Sequence, residues 1–165
     1  MKQVPTLHGE FVTKYVKGRD FEVVDALARA PLWEQGYDYA HGTGHGVGYA
    51  LNVHEGPCNF SPKVTRAAEP LKAGILMSVE PGVYLEGRFG IRLENLCLVV
   101  PHAPGFLKLE TVTLAPFDTR ALDLSLMRDD EKDWLNAYHA RVLAVLSPLL
   151  PPEIVRWLTA RCAPV

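Results

Sequence analysis

The stretch ILMSVEPGVYLEGRFGIRLENLCLVV, residues 75–100, decides the fold. Runs rich in Val, Ile, Leu and Tyr, Ile75–Val79, Val83–Leu85 and Ile91–Val100, alternate with Pro81-Gly82 and Gly87-Arg88-Phe89-Gly90, which is strand chemistry with turn chemistry between. The Gly87–Gly90 gap is short enough to make the runs on either side of it antiparallel neighbours. The same texture begins near Tyr37 and lasts to about Pro116, adding strands at Leu107–Leu109 and Thr111–Leu114. Helical spacing flanks it. Phe11, Val12, Tyr15 and Val16 read as the end of a first amphipathic helix stopped by Gly18. Asp20 caps a second through Val23, Val24, Leu27 and Ala28, with Pro31 kinking or ending it and Gly36 closing the turn after Leu32-Trp33. A third starts near Asp129–Asp130, carries Trp134, Tyr138, Val142, Val145 and Leu149 on one face, and breaks at Pro148. Pro152 opens a final short helix with Ile154, Trp157 and Leu158 together. The order implies an α+β fold: a strongly curved antiparallel sheet with helices on its outer face.

The 165 residues suit a single domain, 1–165, with nearly half of them apolar and 22% charged. A formal charge of −2, with both signs scattered, gives no reason for a nucleic-acid or membrane-surface partner. No apolar run is long enough to span a bilayer, and Met1–Pro5 lacks the apolar centre of a signal peptide. The three cysteines, Cys58, Cys97 and Cys162, form no CxxC pair and read as buried thiols of a reducing compartment, the cytoplasm. Trp33 is expected in the core, with a dimer contact as second choice. Trp134 and Trp157 read as helix-face core, and His102 and His139 as ordinary surface or partly buried residues.

Chemistry concentrates elsewhere. Three of the six histidines fall in one segment, His41-Gly-Thr-Gly-His45-Gly-Val-Gly48 followed by Asn52-Val53-His54-Glu55-Gly56-Pro57. Glycines around His45 let backbone approach whatever the imidazole binds, at a cost in regular structure. The competing reading is a glycine-rich turn with hydrogen-bonded histidines. Two carboxylates also interrupt apolar runs: Glu80 after Ile75–Val79, and Glu94 within Ile91–Val100. On an inward face such a group is expensive unless paired or bound to a cation. Simple alternation would instead put Arg92 and Glu94 on one solvated face. One imidazole with two carboxylates is a nitrogen–oxygen donor set suited to manganese, cobalt or zinc.

The segments HGTGHGVG, NVHEGP, VEPGVY and GIRLEN, in this order and at these separations, resemble the motifs of the Xaa-Pro aminopeptidases (aminopeptidase P), members of the pita-bread (creatinase/aminopeptidase) metallopeptidases. Thr113-Leu114-Ala115-Pro116 and Asp133-Trp134-Leu135-Asn136-Ala137-Tyr138-His139 resemble the end of the cytosolic animal-type enzyme. The resemblance implies half of a pita-bread fold. It implies His45, Glu80 and Glu94 as metal ligands, with Glu80 also moving a proton. His41 and His54 would line the substrate site, at the scissile carbonyl or the residue after it, and Arg92 would orient a ligating carboxylate. It implies removal of an N-terminal residue that precedes proline, by a hydroxide that two divalent metals, manganese foremost, make available near neutral pH. Peptides with proline in second position would be the partners, and the complete enzyme would be a homodimer.

That family uses five protein ligands, two of them strand-borne aspartates well before the first histidine. Asp20, Asp25 and Asp38 lack that setting, so the chain is expected to be the C-terminal part of the catalytic domain, to hold one metal or none, and to have little activity alone. Its sheet would then present a broken edge open to pairing. A non-catalytic peptide-binding domain that kept the fold is the alternative; such domains have typically lost the ligands, which stand here. The sibling peptidases, methionine aminopeptidase and prolidase, fit the HGTGHGVG–NVHEGP pairing and the tail less well.

Overall fold

The computed structural model of the chain describes residues 16–17, 21–50, 52–62 and 71–165. They fall into two compact units, one ending at Thr113 and one running from Leu114 to Val165.

In the first unit, strand β1 (Val16–Lys17) precedes helix α1 (Phe21–Trp33). Val16, expected to close a helix, instead pairs with Leu107; Phe11–Tyr15, Gly18 and Asp20 lie outside the described residues. A β-branched residue completes a ladder edge at little cost. Along α1, Val24, Ala28 and Leu32 are buried at four-residue spacing, the stripe that attaches the helix. Pro31 does not end it; the helix runs two residues further. Its exit is a nested pair of bonds, Gly36 N–H to Trp33 C=O and Tyr37 N–H to Leu32 C=O, each 2.9 Å, with Gly36 at φ 75°. That left-handed position is why glycine stands there. Trp33, expected in the core, is half-exposed on this last turn.

Strands β2 (Gly44–His45) and β3 (Asn59–Phe60) pair antiparallel. Then follow β4 (Leu76–Val79), β5 (Gly82–Leu85), β6 (Phe89–Arg92), β7 (Asn95–Ala103) and β8 (Phe106–Thr111). The larger sheet has the order β1-β8-β7-β4, all antiparallel, and β5–β6 form the hairpin expected across Gly87. Met77, Val79, Cys97, Val99 and Leu109 make its buried apolar face, alternating with more exposed neighbours along β7, whereas in β4 Ser78 is buried as well.

Two strand limits differ from expectation. The run Ile91–Val100 is not one strand: Ile91 pairs with Val83, whereas Asn95 pairs with Val79. Pro81, which has no N–H to donate, separates β4 from β5, and the opposite chain breaks at Leu93–Glu94 to follow both partners. Conversely, Leu107–Leu109 and Thr111 belong to one strand. Exposed Glu110 between buried Leu109 and Thr111 is ordinary alternation.

The second unit begins with extended chain and leads to α2 (Asp129–Leu146) and α3 (Pro152–Arg161), joined by a tight turn around Pro148. Asp129, Asp130 and Glu131 occupy the first turn of α2, where acids complement the helix dipole. The buried stripe is Leu135, Tyr138, His139 and Val142: Tyr138 and Val142 of the expected face are buried, Trp134 packs partly buried against them, and Leu135 and His139 widen the stripe. Val145 and Leu149 are exposed because spacing of three and four from Leu135 passes through Leu146 instead. Tyr138, Val142, Leu158 and Cys162 form the core, with Trp134 stacked on Tyr138 at 5.4 Å and an interplanar angle of 3°. Only Leu158 of the expected α3 trio is buried; Ile154 and Trp157 face outward. All three cysteines are buried free thiols, as expected.

His139 is fully buried rather than superficial. Its Nε2 accepts the Phe117 N–H at 3.1 Å, and burial holds its pKa below the ordinary value of 6.5. A depressed folded-state pKa makes the contribution complete above pH 6.5 and progressively lost as pH falls toward the folded value, since the unfolded chain binds the proton first. The expected slope of unfolding free energy below that pH is at most about 1.4 kcal/mol per unit from this one group. His139→Gln, which keeps an acceptor for Phe117, removes that share. Denaturant titrations followed by tryptophan fluorescence between pH 5 and 8 measure it; an unchanged slope in the variant refutes it.

Candidate active site

The glycine-rich segment is built by close approach. At Gly44 a Cβ would lie 1.9 Å from the Ser78 carbonyl oxygen, so only glycine lets β2 lie this near β4. The contact also carries polar links. His45 N–H donates to Ser78 Oγ at 3.0 Å, Glu80 N–H donates to Thr43 C=O at 2.7 Å, and Ser78 Oγ donates to Glu80 Oε1 at 3.0 Å. One buried hydroxyl thus joins the backbone of His45 to the carboxylate of Glu80.

His45 and Glu80 meet directly, Nε2 to Oε1 at 3.1 Å. His45 Nδ1 lies 2.9 Å from the Gly46 carbonyl, which only accepts, so Nδ1 carries the proton. In the neutral ring Nε2 is then a lone pair, and it faces a carboxylate oxygen. Two acceptors at this distance require a proton or a cation between them. That juxtaposition fits a divalent cation, and the nitrogen–oxygen donor pair suits the borderline and harder metals.

Glu94 does not join them. Arg92 stands between the two acids, 3.8 Å from Glu80 and 3.5 Å from Glu94, and the Glu94 side chain is 43% exposed. Among the described residues, no three His, Cys, Asp or Glu side chains converge on one cation-sized point. The hydroxyl of Tyr84 beside Arg92 holds the guanidinium above its ordinary pKa.

The cleft in front of Glu80 measures about 420 Å³ and is lined by His41, His45, His54, Glu55, Glu80 and Arg92 among others. His54 lies against His45, ring centroids 4.1 Å apart. His41 Nε2 is 2.8 Å from the Tyr84 hydroxyl and its Nδ1 2.8 Å from the Gly42 carbonyl. With Nδ1 protonated, Nε2 accepts from Tyr84, so Tyr84 links the lining residues His41 and Arg92.

Sequence reasoning gathered His41, His45, His54, Glu80, Glu94 and Arg92 into one site, and the cleft is lined by all of these but Glu94. It placed Tyr84 near the site without a role, and it missed Ser78 and the buried pair Asp25–Arg29 behind the histidine loop. Ser78 was detectable as a lone hydroxyl between Met77 and Val79. Asp25 and Arg29 were detectable as a polar pair in the stripe Asp25, Ala28, Arg29, Leu32.

Residues 6–101 match the family model described as metallopeptidase family M24, and residues 105–165 match the C-terminal region of peptidase M24. A probable Xaa-Pro aminopeptidase P of Laccaria bicolor is 45% identical over 152 residues, covering 87% of this chain and 24% of that protein. Aminopeptidase P1 of Arabidopsis thaliana is 42% identical over 160 residues, covering 92% of this chain and 25% of its own length. The crystal structure of X-prolyl aminopeptidase from Caenorhabditis elegans, described as a cytosolic enzyme with a di-nuclear active site, superposes with a TM-score of 0.89 at 37% identity, covering 98% of this chain and 28% of that one. The chain spans about a quarter of the length of the curated relatives it matches.

Proposed function

The chain belongs to metallopeptidase family M24 and has the α+β architecture of part of a pita-bread domain, and from that premise we propose that it contributes to the catalytic site of a Xaa-Pro aminopeptidase, which removes an N-terminal residue preceding proline. The observation that carries the reading is the pair of acceptors, His45 Nε2 and Glu80 Oε1, 3.1 Å apart at the floor of the cleft. His45 and Glu80 are the residues placed to hold divalent metal, manganese first and cobalt or zinc next, and Glu94, turned to Arg92 in this chain, would join them in the complete site with its two ions. Such a cation supplies Lewis acidity and water acidified to near neutral pH.

The protein's own groups do the rest. Glu80, fixed by Ser78 and by its own amide, is placed to take a proton and deliver it to the proline nitrogen as the bond breaks. His54 opens on the cleft and is proposed to bind the scissile carbonyl. His41, tied to Tyr84, forms the wall for the proline ring. An X–Pro bond has no N–H, so the site must read ring shape and carbonyl position. Arg92, 3.8 Å from Glu80 and 3.5 Å from Glu94, is proposed to orient both acids.

Residues 1–165 are read as the C-terminal part of the catalytic domain, holding three of the five protein ligands the resemblance implies, so the 165-residue chain alone should bind one metal weakly and turn over peptide slowly or not at all. The cytoplasm is the proposed location and a homodimer the proposed state of the complete enzyme. Among the described residues no helix is long and apolar enough to cross a membrane.

Calorimetric titration with Mn²⁺, paired with hydrolysis of an Arg-Pro-Pro peptide, tests this. Weak uptake that disappears in His45→Ala is expected. Uptake indifferent to that substitution overturns the ligand reading, and full turnover by the 165-residue chain overturns the need for further ligands.

A further inference from the structure

Among the described residues, the most deeply buried charges outside the cleft are Asp25 and Arg29 of α1, 1% and 2% exposed. Arg29 spends its whole guanidinium. Nε and Nη2 bond Asp25 at 2.7 and 3.2 Å, Nη1 bonds Asp38 at 2.8 Å and the Tyr39 carbonyl at 2.6 Å, and Nη2 also bonds the His41 carbonyl at 2.6 Å. Asp25 accepts from Thr43 Oγ1 at 2.6 Å and from Thr43 N–H at 3.3 Å. The Tyr39 ring lies under the guanidinium, 3.9 Å from its centroid, and the Tyr39 hydroxyl meets Thr43 Oγ1. Burial pushes the Tyr39 pKa up to about 12, so that hydroxyl remains a donor. The pair therefore grips residues 39, 41 and 43 from behind. Their side-chain neighbours His41 and His45 face the cleft, and Thr43 C=O in turn receives the Glu80 amide.

A buried ion pair is a poor way to attach a helix, because desolvation offsets most of its attraction, and α1 already has Val24, Ala28 and Leu32 for that purpose. What charges add is direction: two carbonyls and one hydroxyl bound at fixed points. We propose that Asp25 and Arg29 are positioning residues, a brace that sets His41, His45 and Glu80 in register for cation and substrate and contributes little to the stability of the fold. This rests on the function proposed above.

The double variant Asp25→Leu/Arg29→Met, made in the 165-residue chain, tests it. Apolar replacement removes both buried charges together, which offsets part of the cost of taking partners from the Tyr39 and His41 carbonyls and from Thr43. The midpoint of thermal unfolding is therefore expected to fall only modestly, while exchange of the Thr43, His45 and Gly46 amides speeds up about tenfold or more. Mn²⁺ affinity should fall about ten- to hundredfold, the usual effect of losing an outer support of a ligand. Arg29→Lys, which restores charge without the fork, should recover neither. A folded double variant with wild-type exchange and affinity overturns the proposal, and so does one whose unfolding midpoint collapses. Should the unaltered chain take up no Mn²⁺, the metal reading fails, and the exchange rates alone still decide the brace.

Discussion

Glu80→Gln, introduced into a chain extended to the full length of its relatives, is expected to lower kcat by about a hundred- to ten-thousandfold, the range spanned by general acid–base groups. The substitution keeps the shape of a side chain that is only 11% exposed. Its effect comes from one atom. The carboxylate sets one oxygen against the His45 Nε2 lone pair at 3.1 Å and turns its other oxygen to Arg92. An amide in the same place turns its NH₂ toward the His45 lone pair and its oxygen toward Arg92, satisfying both without a cation. It can neither take up nor deliver a proton in the reaction. The loss should therefore fall on kcat, with the unfolding midpoint unchanged or raised because one buried charge has gone. Steady-state kinetics and thermal unfolding on the same preparation decide it. Wild-type kcat in the variant removes Glu80 from the chemistry, and a lost fold would make its role structural.

How much of this was legible beforehand follows from what kind of information each feature needs. The hairpin across Gly87 could be read because turn and strand chemistry are local. So could the exit of α1, where Gly36 supplies a left-handed conformation no other residue adopts cheaply. The break at Leu93–Glu94 could not: nothing in IRLENLCLVV marks it, and it arises because β4 and β5, separated by Pro81, each claim a different length of the returning chain. The buried face of α2 was legible in part. Tyr138 and Val142 are buried as their spacing implied, but Leu135 and His139 complete the stripe while Val145 and Leu149 stay exposed, and packing alone chose among them.

The cleft was legible through its motifs, and its internal geometry was not. Glycines around His45 announced close approach without saying to what; the partner is the backbone of Ser78, thirty-odd positions away. Alternation along Ile91–Asn95 correctly allowed Arg92 and Glu94 to share a face, where the two side chains pair at 3.5 Å. That Arg92 also reaches Glu80 depends on the hairpin bringing Gly82 opposite Arg92, a pairing that no local pattern encodes. The brace was half visible. Asp25 and Arg29 are one turn apart, but their carbonyl partners lie beyond the turn at Gly36.

Gly44→Ala is expected to be the most damaging single change to stability in this region. A Cβ there would sit 1.9 Å from the Ser78 carbonyl oxygen and 2.9 Å from its carbon, both backbone atoms that no rotamer change can move. Relief requires β2 to draw away from β4, which opens the bond from His45 N–H to Ser78 Oγ and that from the Glu80 amide to Thr43. Overpacking of this kind costs about 3 kcal/mol at the upper end of its usual range. For a chain of this size that lowers the unfolding midpoint by about 6–12 °C. Ser78→Ala serves as the comparison, since it removes the hydroxyl while leaving the backbone approach intact and should cost about 1 kcal/mol. Circular dichroism melts of the two variants separate the effects: a Gly44→Ala chain that melts with the wild type would mean that β2 does not pack on β4 as described. Because the same displacement carries the His45 imidazole away from Glu80, Mn²⁺ uptake at temperatures where the variant is still folded should fall with it, which ties the close approach of two backbones to the cation site.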